Sequence, residues 1–256
     1  MKRISLARLI LVVAAALASP ALATSANPGI SADEAMRLLK AGNARYVDGK
    51  LQHPHQDRVR RALTAAQGQH PLAAVLTCSD SRAPAEIIFD QGIGDIFVVR
   101  VAGNVAATDE IGSIEYAADH LATPLVVVLG HTQCNAVSAV VDDAKLSPNL
   151  ANLVESIKPA VDKARESAPQ AAKDELLKAA ITANVWQALE DMLRLSPIIR
   201  NKVRDGQAQV VGALYDLDSG QVQWLGPHPD QEKLMGGKKG AGKTSKKGKK
   251  SKKSED

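Results

Sequence analysis

The chain has 256 residues, enough for one domain with a large core, and it shows neither a second domain nor an internal repeat. Aromatic residues are only 3% of the chain against 45% hydrophobic in all, so the core must be built mainly from Ala, Val, Leu and Ile. The net charge of +4 belongs to the ends: the first 23 residues carry +3 and the Lys-rich stretch after Met235 carries +7, which leaves a mildly acidic body of about −6 and no ground for a specific nucleic-acid surface.

Met1 to Ala23 opens with Lys2, Arg3 and Arg8, runs through an apolar core Leu9 to Leu17, breaks at Ser19-Pro20 and reaches Ala21-Leu22-Ala23 before Thr24. That is the layout of a secretory signal peptide, and its apolar part falls short of the ~20 residues that a membrane span needs. Cleavage near Ala23 would leave a mature chain in the periplasm or outside the cell. No later segment is apolar for long enough to cross a bilayer.

Residues 24–235 read as one folded body. Ser31 to Tyr46 is expected to be a helix with Ser31 as N-cap, Glu34 in the capping-box position, and Ala35, Leu38, Leu39 and Tyr46 on one face. Gly49 to Gln56 is a surface loop, and its His53-Pro54-His55 lacks the further ligands that a metal site needs. Leu72 to Thr77 is strand one, with a short helix from Pro84 to Phe89 behind it. Asp95 to Arg100 is strand two, Val101 to Ala107 a loop, and Thr108 to Leu121 a helix burying Ile111, Ile114 and Ala118.

Leu125 to Leu129 is strand three and Gln133 to Ala144 the helix after it. The alternation, together with continuous apolar strands that fit burial on both faces, argues for an α/β fold: a single domain with a mainly parallel central sheet flanked by helices. Leu150 to Ala168 and Ala171 to Leu195 are further helical stretches of structural character, with Trp186 and Leu189 in the core. Val210 to Leu217 and Val222 to Leu225 alternate around Asp218-Ser-Gly220, a hairpin signal. His70, His120 and His228 have no partner pattern and read as surface or loop residues.

Gly236 to Asp256 holds nine lysines among Gly and Ser and no large apolar residue, so it is expected to be a disordered tail suited at most to weak contact with anionic surfaces. Its Gly237 to Thr244 matches the P-loop pattern. A P-loop needs a buried strand before it and a helix after it, and neither is present.

The chemistry gathers at two strand ends. Leu72-Ala-Ala-Val-Leu-Thr-Cys78-Ser-Asp80-Ser-Arg82 is an apolar run that stops at a cysteine, and Leu125-Val-Val-Val-Leu-Gly130-His131-Thr-Gln-Cys134 repeats the arrangement. In parallel sheets ligands gather beyond the carboxyl ends of the strands, so the chain's two cysteines, one histidine and one aspartate should converge at one sheet edge. Two thiolates, an imidazole and a carboxylate suit tetrahedral zinc. A disulfide is the ordinary alternative for two cysteines in an oxidising compartment, and a closed structural zinc site is the second. Cys134 falls near a helix start, where the dipole favours a thiolate.

The spacing Cys-x-Asp-x-Arg followed by His-x-x-Cys resembles the β-class carbonic anhydrases. The similarity continues through Ser81 to Asp90, Gly94 to Asn104, Gly112 to Tyr116 and Gly212 to Asp216, and spans about Ala32 to Leu225. It implies one Zn2+ per subunit on Cys78, His131 and Cys134, with Asp80 and Arg82 as the catalytic pair and Asp80 a fourth ligand in a closed state only. In the open state, zinc-bound hydroxide would attack carbon dioxide to give bicarbonate, with Asp80 accepting the hydroxide's proton in a hydrogen bond. Gln69, Phe97, Ala102 and Tyr116 map onto the substrate side. Several of these come from a neighbouring subunit in the family, which implies a homodimer or a larger homo-oligomer.

Related chemistry offers rivals: a zinc hydrolase of carbon disulfide or carbonyl sulfide on the same scaffold, or a non-catalytic periplasmic zinc-binding protein. Two departures from the pattern stand out. Asn135 follows the second cysteine where glycine is common, and Val75 stands where some members place the tryptophan of an inhibitory bicarbonate site.

Overall fold

The computed structural model describes residues 30–236; the expected signal peptide and the tail beyond Gly236 lie outside them. Strands β1 (Ala73–Thr77), β2 (Ile96–Arg100), β3 (Leu125–His131), β4 (Gln209–Tyr215) and β5 (Val222–Gly226) form one sheet in the order β2-β1-β3-β4-β5. The first four are parallel, and β5 turns back antiparallel on β4. The expected hairpin is thus present. Gly220 takes a left-handed φ of 76°, and Ser219 donates through both its amide and its hydroxyl to Asp216.

Both faces of the sheet are covered, which is why the strand sequences are apolar without a break. Ala73, Val75, Leu125, Val127 and Val211 face one layer, built by α1 (Ala32–Val47) and α3 (Ala85–Ile88). Ala74, Leu76, Val126, Val128 and Val210 face the other, built by α4 (Thr108–Glu115), α8 (Lys173–Leu195) and α9 (Pro197–Arg204). Full burial of each Val, Leu or Ile contributes about 1.5–3 kcal/mol, so this two-sided packing carries the sheet. Ile111, Ile114 and Ala118 are buried as expected, Leu189 is in the core, and Trp186 packs against it partly exposed.

The ends of several elements differ from expectation for local reasons. Ser31 caps α1 by accepting from the Glu34 amide, but the Glu34 carboxylate turns to Arg37, so only half of the capping box forms. Beyond α4 the chain continues in a π turn over Tyr116–His120. The helical stretch from 150 divides into α6 (Pro148–Val154) and α7 (Lys158–Ser167), because Pro159 has no amide to offer Glu155 and a 3-10 turn takes up the difference. The helix after β3 is α5 (Asn135–Val141).

Three helices were not anticipated. α2 (Arg58–Gln67) buries no residue, and α9 begins directly at Pro197, whose N-cap Ser196 accepts from the Ile199 amide. A last short helix, α10 (Gln231–Leu234), closes the described chain. Among the described residues no helix is long and apolar enough to cross a membrane.

Close approach of α8 to the sheet depends on two glycines on neighbouring strands. A Cβ on Gly130 would lie 2.5 Å from Val185 Cγ2, and one on Gly212 would lie 2.9 Å from Val185 Cγ1. Val185 therefore seats in a recess that only these glycines leave, and this seat fixes the register of α8 over the carboxyl end of β3.

Candidate metal centre

β1 and β3 are neighbours whose carboxyl ends are level: Thr77 pairs with Leu129, so Cys78 leaves β1 beside Gly130 and His131. β3 runs two residues further than its apolar run suggested, and His131 is its last residue, paired with Tyr215. Cys134 follows as the N-cap of α5. The two sulfurs are 4.0 Å apart, and they lie with a ring nitrogen of His131 within 4.8 Å of one another. Cys78, Cys134 and His131 are 4%, 1% and 1% exposed, so the three donors face each other out of water.

The donor set fits zinc. Both cysteines are free, at about twice the ~2.05 Å of a disulfide bond. His131 Nδ1 lies 2.8 Å from the Thr132 carbonyl and so is the donor, which leaves a lone pair on Nε2. That Nε2 is buried with no hydrogen-bond partner, and an unmet buried polar atom costs about 1–3 kcal/mol. One borderline and two soft ligand atoms converging on one point, with the imidazole oriented from behind by a carbonyl, is the chemistry of a zinc site.

Electrostatics favour the same occupant. The Cys78 thiol is pulled down to about 4, first by the Cys134 thiol beside it and against its own burial, with His131 and the amides of Gly103 and Asp80 adding to the effect. Cys134 is pushed up, first by the Cys78 sulfur and then by burial, although the Val137 and Ala136 amides at the start of α5 act the other way. Burial pushes the His131 imidazole down, but the Cys78 sulfur and the Thr132 carbonyl outweigh it and hold it above the ordinary value. Two sulfurs this close resist carrying two negative charges alone, and a dication removes the conflict.

Asp80 stands at the rim, its Oδ2 3.9 Å from His131 Nε2. Arg82 grips it through Nε to Oδ1 and Nη2 to Oδ2, and the Arg82 amide donates to Oδ1 as well. The Arg82 side chain is the main reason that the carboxyl falls to about 2; burial opposes it, and the Arg82 amide and His131 help. Arg100, at the end of β2, donates to the backbone carbonyls of Cys78 and Asp80 and so ties down the loop between them. Neither Arg100 nor Gly103, whose amide lies 3.2 Å from Cys78 Sγ, was singled out from the sequence. The pairing of Thr77 with Arg100 is the signal that could have pointed to the first.

The remaining expected site residues divide. Ala102 sits in a 3-10 turn, Ala102–Asn104, next to the Gly103 amide and thus beside the cluster. Phe97 pairs with Ala74, three residues and about 10 Å back from the strand end. Its ring packs 6.2 Å from that of Tyr116, which is 44% exposed in the π turn. Gln69 is exposed and precedes β1, at the end opposite Cys78. A single protomer therefore brings together Cys78, Asp80, Arg82, Ala102, His131 and Cys134, but not Gln69, Phe97 or Tyr116.

Asn135 is exposed at the first turn of α5, clear of the amides that face Cys134, and Val75 is fully buried under α1 and α3. The His53 to His55 loop lies on the surface, with the His55 ring against Asp95.

Comparison with known proteins agrees with this geometry. The sequence model of a family described as carbonic anhydrase matches residues 73–222. Carbonic anhydrase 2 of Mycobacterium tuberculosis is 40% identical over 199 residues, 76% of this chain and 93% of that protein. Among solved structures, a β-carbonic anhydrase of Aspergillus fumigatus superposes with a TM-score of 0.63 at 26% identity, over 77% of this chain and 92% of that one. A structure from a study of two tetrameric β-carbonic anhydrases of Sordaria macrospora gives 0.59 at 26% identity, over 75% and 96%.

Proposed function

The chain belongs to the β-class carbonic anhydrases, and from that premise we propose that it interconverts carbon dioxide and bicarbonate with one zinc ion per subunit. The observation that carries the reading is the convergence of Cys78 Sγ, Cys134 Sγ and a ring nitrogen of His131 within 4.8 Å, beside a carboxylate that Arg82 keeps ionised and held.

Cys78, His131 and Cys134 would hold the ion. Bound there, zinc supplies the Lewis acidity that brings the ionisation of water toward neutral pH and makes it nucleophilic. Thr132 fixes the His131 tautomer from behind, and the Gly103 amide donates to the Cys78 sulfur. Asp80, ionised and accepting only, takes a hydrogen bond from the attacking oxygen and turns a lone pair toward the substrate carbon. Arg82 competes for Asp80 with two parallel hydrogen bonds, which supports an arrangement in which the carboxylate stays off the metal. The oxygen adds to the carbon of carbon dioxide, one proton leaves to solvent, and bicarbonate is released.

Gln69, Phe97 and Tyr116, which the family pattern assigns to the substrate side, would reach the pocket from a second copy of the chain. That supports a homodimer or larger assembly. The same reading places the mature protein in the periplasm or outside the cell, on the strength of residues 1–23.

Replacing Asp80 by Ala tests the catalytic reading against mere zinc binding. The variant should keep its zinc and lose about 100-fold or more of its hydration rate. An unchanged rate would remove Asp80 from the mechanism.

A further inference from the structure

The 3-10 turn that faces the metal centre is held from behind by a residue on a different layer. Gly103 adopts a left-handed φ of 76°, and its amide lies 3.2 Å from Cys78 Sγ. A side chain there would be strained, because φ is left-handed and a Cβ would come within 2.6 Å of Ile157 Cδ1. The Gly103 carbonyl accepts a hydrogen bond of 2.7 Å from Nδ2 of Asn184, which sits on α8, 81 residues along the chain, and is 2% exposed. Asn184 is next to Val185, the residue seated in the recess left by Gly130 and Gly212.

We propose that Asn184 is a positioning residue for the metal centre: its hydrogen bond to the Gly103 carbonyl aims the Gly103 amide at the sulfur of Cys78. The proposal rests on the reading of Cys78 as a metal ligand. An amide that donates to a metal-bound thiolate draws charge from the sulfur and tunes its donation to the metal, and such supporting contacts act strongly on affinity. A left-handed glycine has many other conformations within reach, so an unheld turn would not keep its amide on the sulfur. The docking of α8 on two glycines thus becomes a determinant of the metal site. Ala102 shares the turn and is fixed by the same contact.

The test uses the full chain loaded with cobalt(II), whose thiolate charge-transfer band reports on the sulfur directly. Asn184→Leu should move that band to longer wavelength and weaken metal binding by about 10- to 100-fold. Gln187→Leu is the control: Gln187 is 7% exposed on the same helix but bonds Lys163 instead of the turn, so its removal should leave the band in place.

An unshifted band and unchanged affinity in Asn184→Leu, or an equal shift in Gln187→Leu, overturns the proposal. A wild-type protein that binds cobalt with no thiolate band overturns the metal-site reading itself. Should Asn184→Leu fail to fold, the wild-type protein loaded with cadmium-113 decides: the Gly103 amide proton should couple to the metal nucleus through the sulfur, and its silence overturns the proposal.

Discussion

Arg82 spans both carboxylate oxygens of Asp80, with Nε 3.0 Å from Oδ1 and Nη2 2.8 Å from Oδ2. A lysine cannot reproduce that fork, because its single ammonium is a point charge on a flexible stem. Arg82→Lys should therefore keep its zinc, since neither residue is among the three donors, and lose about 100-fold in hydration rate as Asp80 swings out of place. Zinc analysis and a rate measurement on one preparation check both halves. Full activity in Arg82→Lys would show that charge alone suffices.

Val185 links the fold to the site through Gly130. Gly130→Ala should destabilise the protein by about 1–3 kcal/mol, because the new methyl group meets Val185 Cγ2 at 2.5 Å. Adding Val185→Ala should restore part of that loss. Urea unfolding of the two single variants and the double one measures the coupling; strictly additive losses would mean that the two side chains do not compete for the same space.

Asp90, which shares no partner with the donor cluster, supplies a separate pH dependence. It is 1% exposed, and its carboxylate accepts from Arg45 at 2.6 Å and from the amides of Gln52 and His53 at 3.0 Å. Burial pushes its carboxyl up, but the Gln52 amide, Arg45 and the His53 amide together hold it below the ordinary value. A depressed carboxyl stabilises the fold fully above its unfolded pKa of about 3.9, and that contribution is lost as pH falls through the lower folded value. Asp90→Asn should thus cost about 2 kcal/mol at pH 7, and its gap to wild type should close below about pH 4. Urea midpoints at several pH values give the curve, and a gap that widened on acidification would contradict the sign.

Much of this was legible because the chemistry stands at the ends of uninterrupted apolar runs. Cys78 and His131 end parallel strands, so strand order alone brings them together, and Cys134 adds itself at the next helix start. α2 escaped notice because its Val59 and Leu63 are 73% and 43% exposed, which leaves no buried stripe to detect. Pro197 both follows the end of α8 and opens α9, because a proline at the first helical position begins a helix as readily as it ends one. Asn184 is one polar residue inside the long helix α8, and no sequence pattern marks it out. Its role depends on Gly103, 81 positions away, and on the two glycines of neighbouring strands under Val185, contacts that only the folded chain makes. Gln69, Phe97 and Tyr116 follow from the family pattern, and a single protomer holds them apart from the donors.

If these donors serve the hydration of carbon dioxide, the purified zinc-loaded protein should hydrate it in a stopped-flow experiment. Across about pH 7 to 9 the expected result is hydration far above the buffer rate, abolished by chelation and restored by zinc. No hydration over that range, with sulfide released from carbon disulfide or carbonyl sulfide instead, would contradict the account.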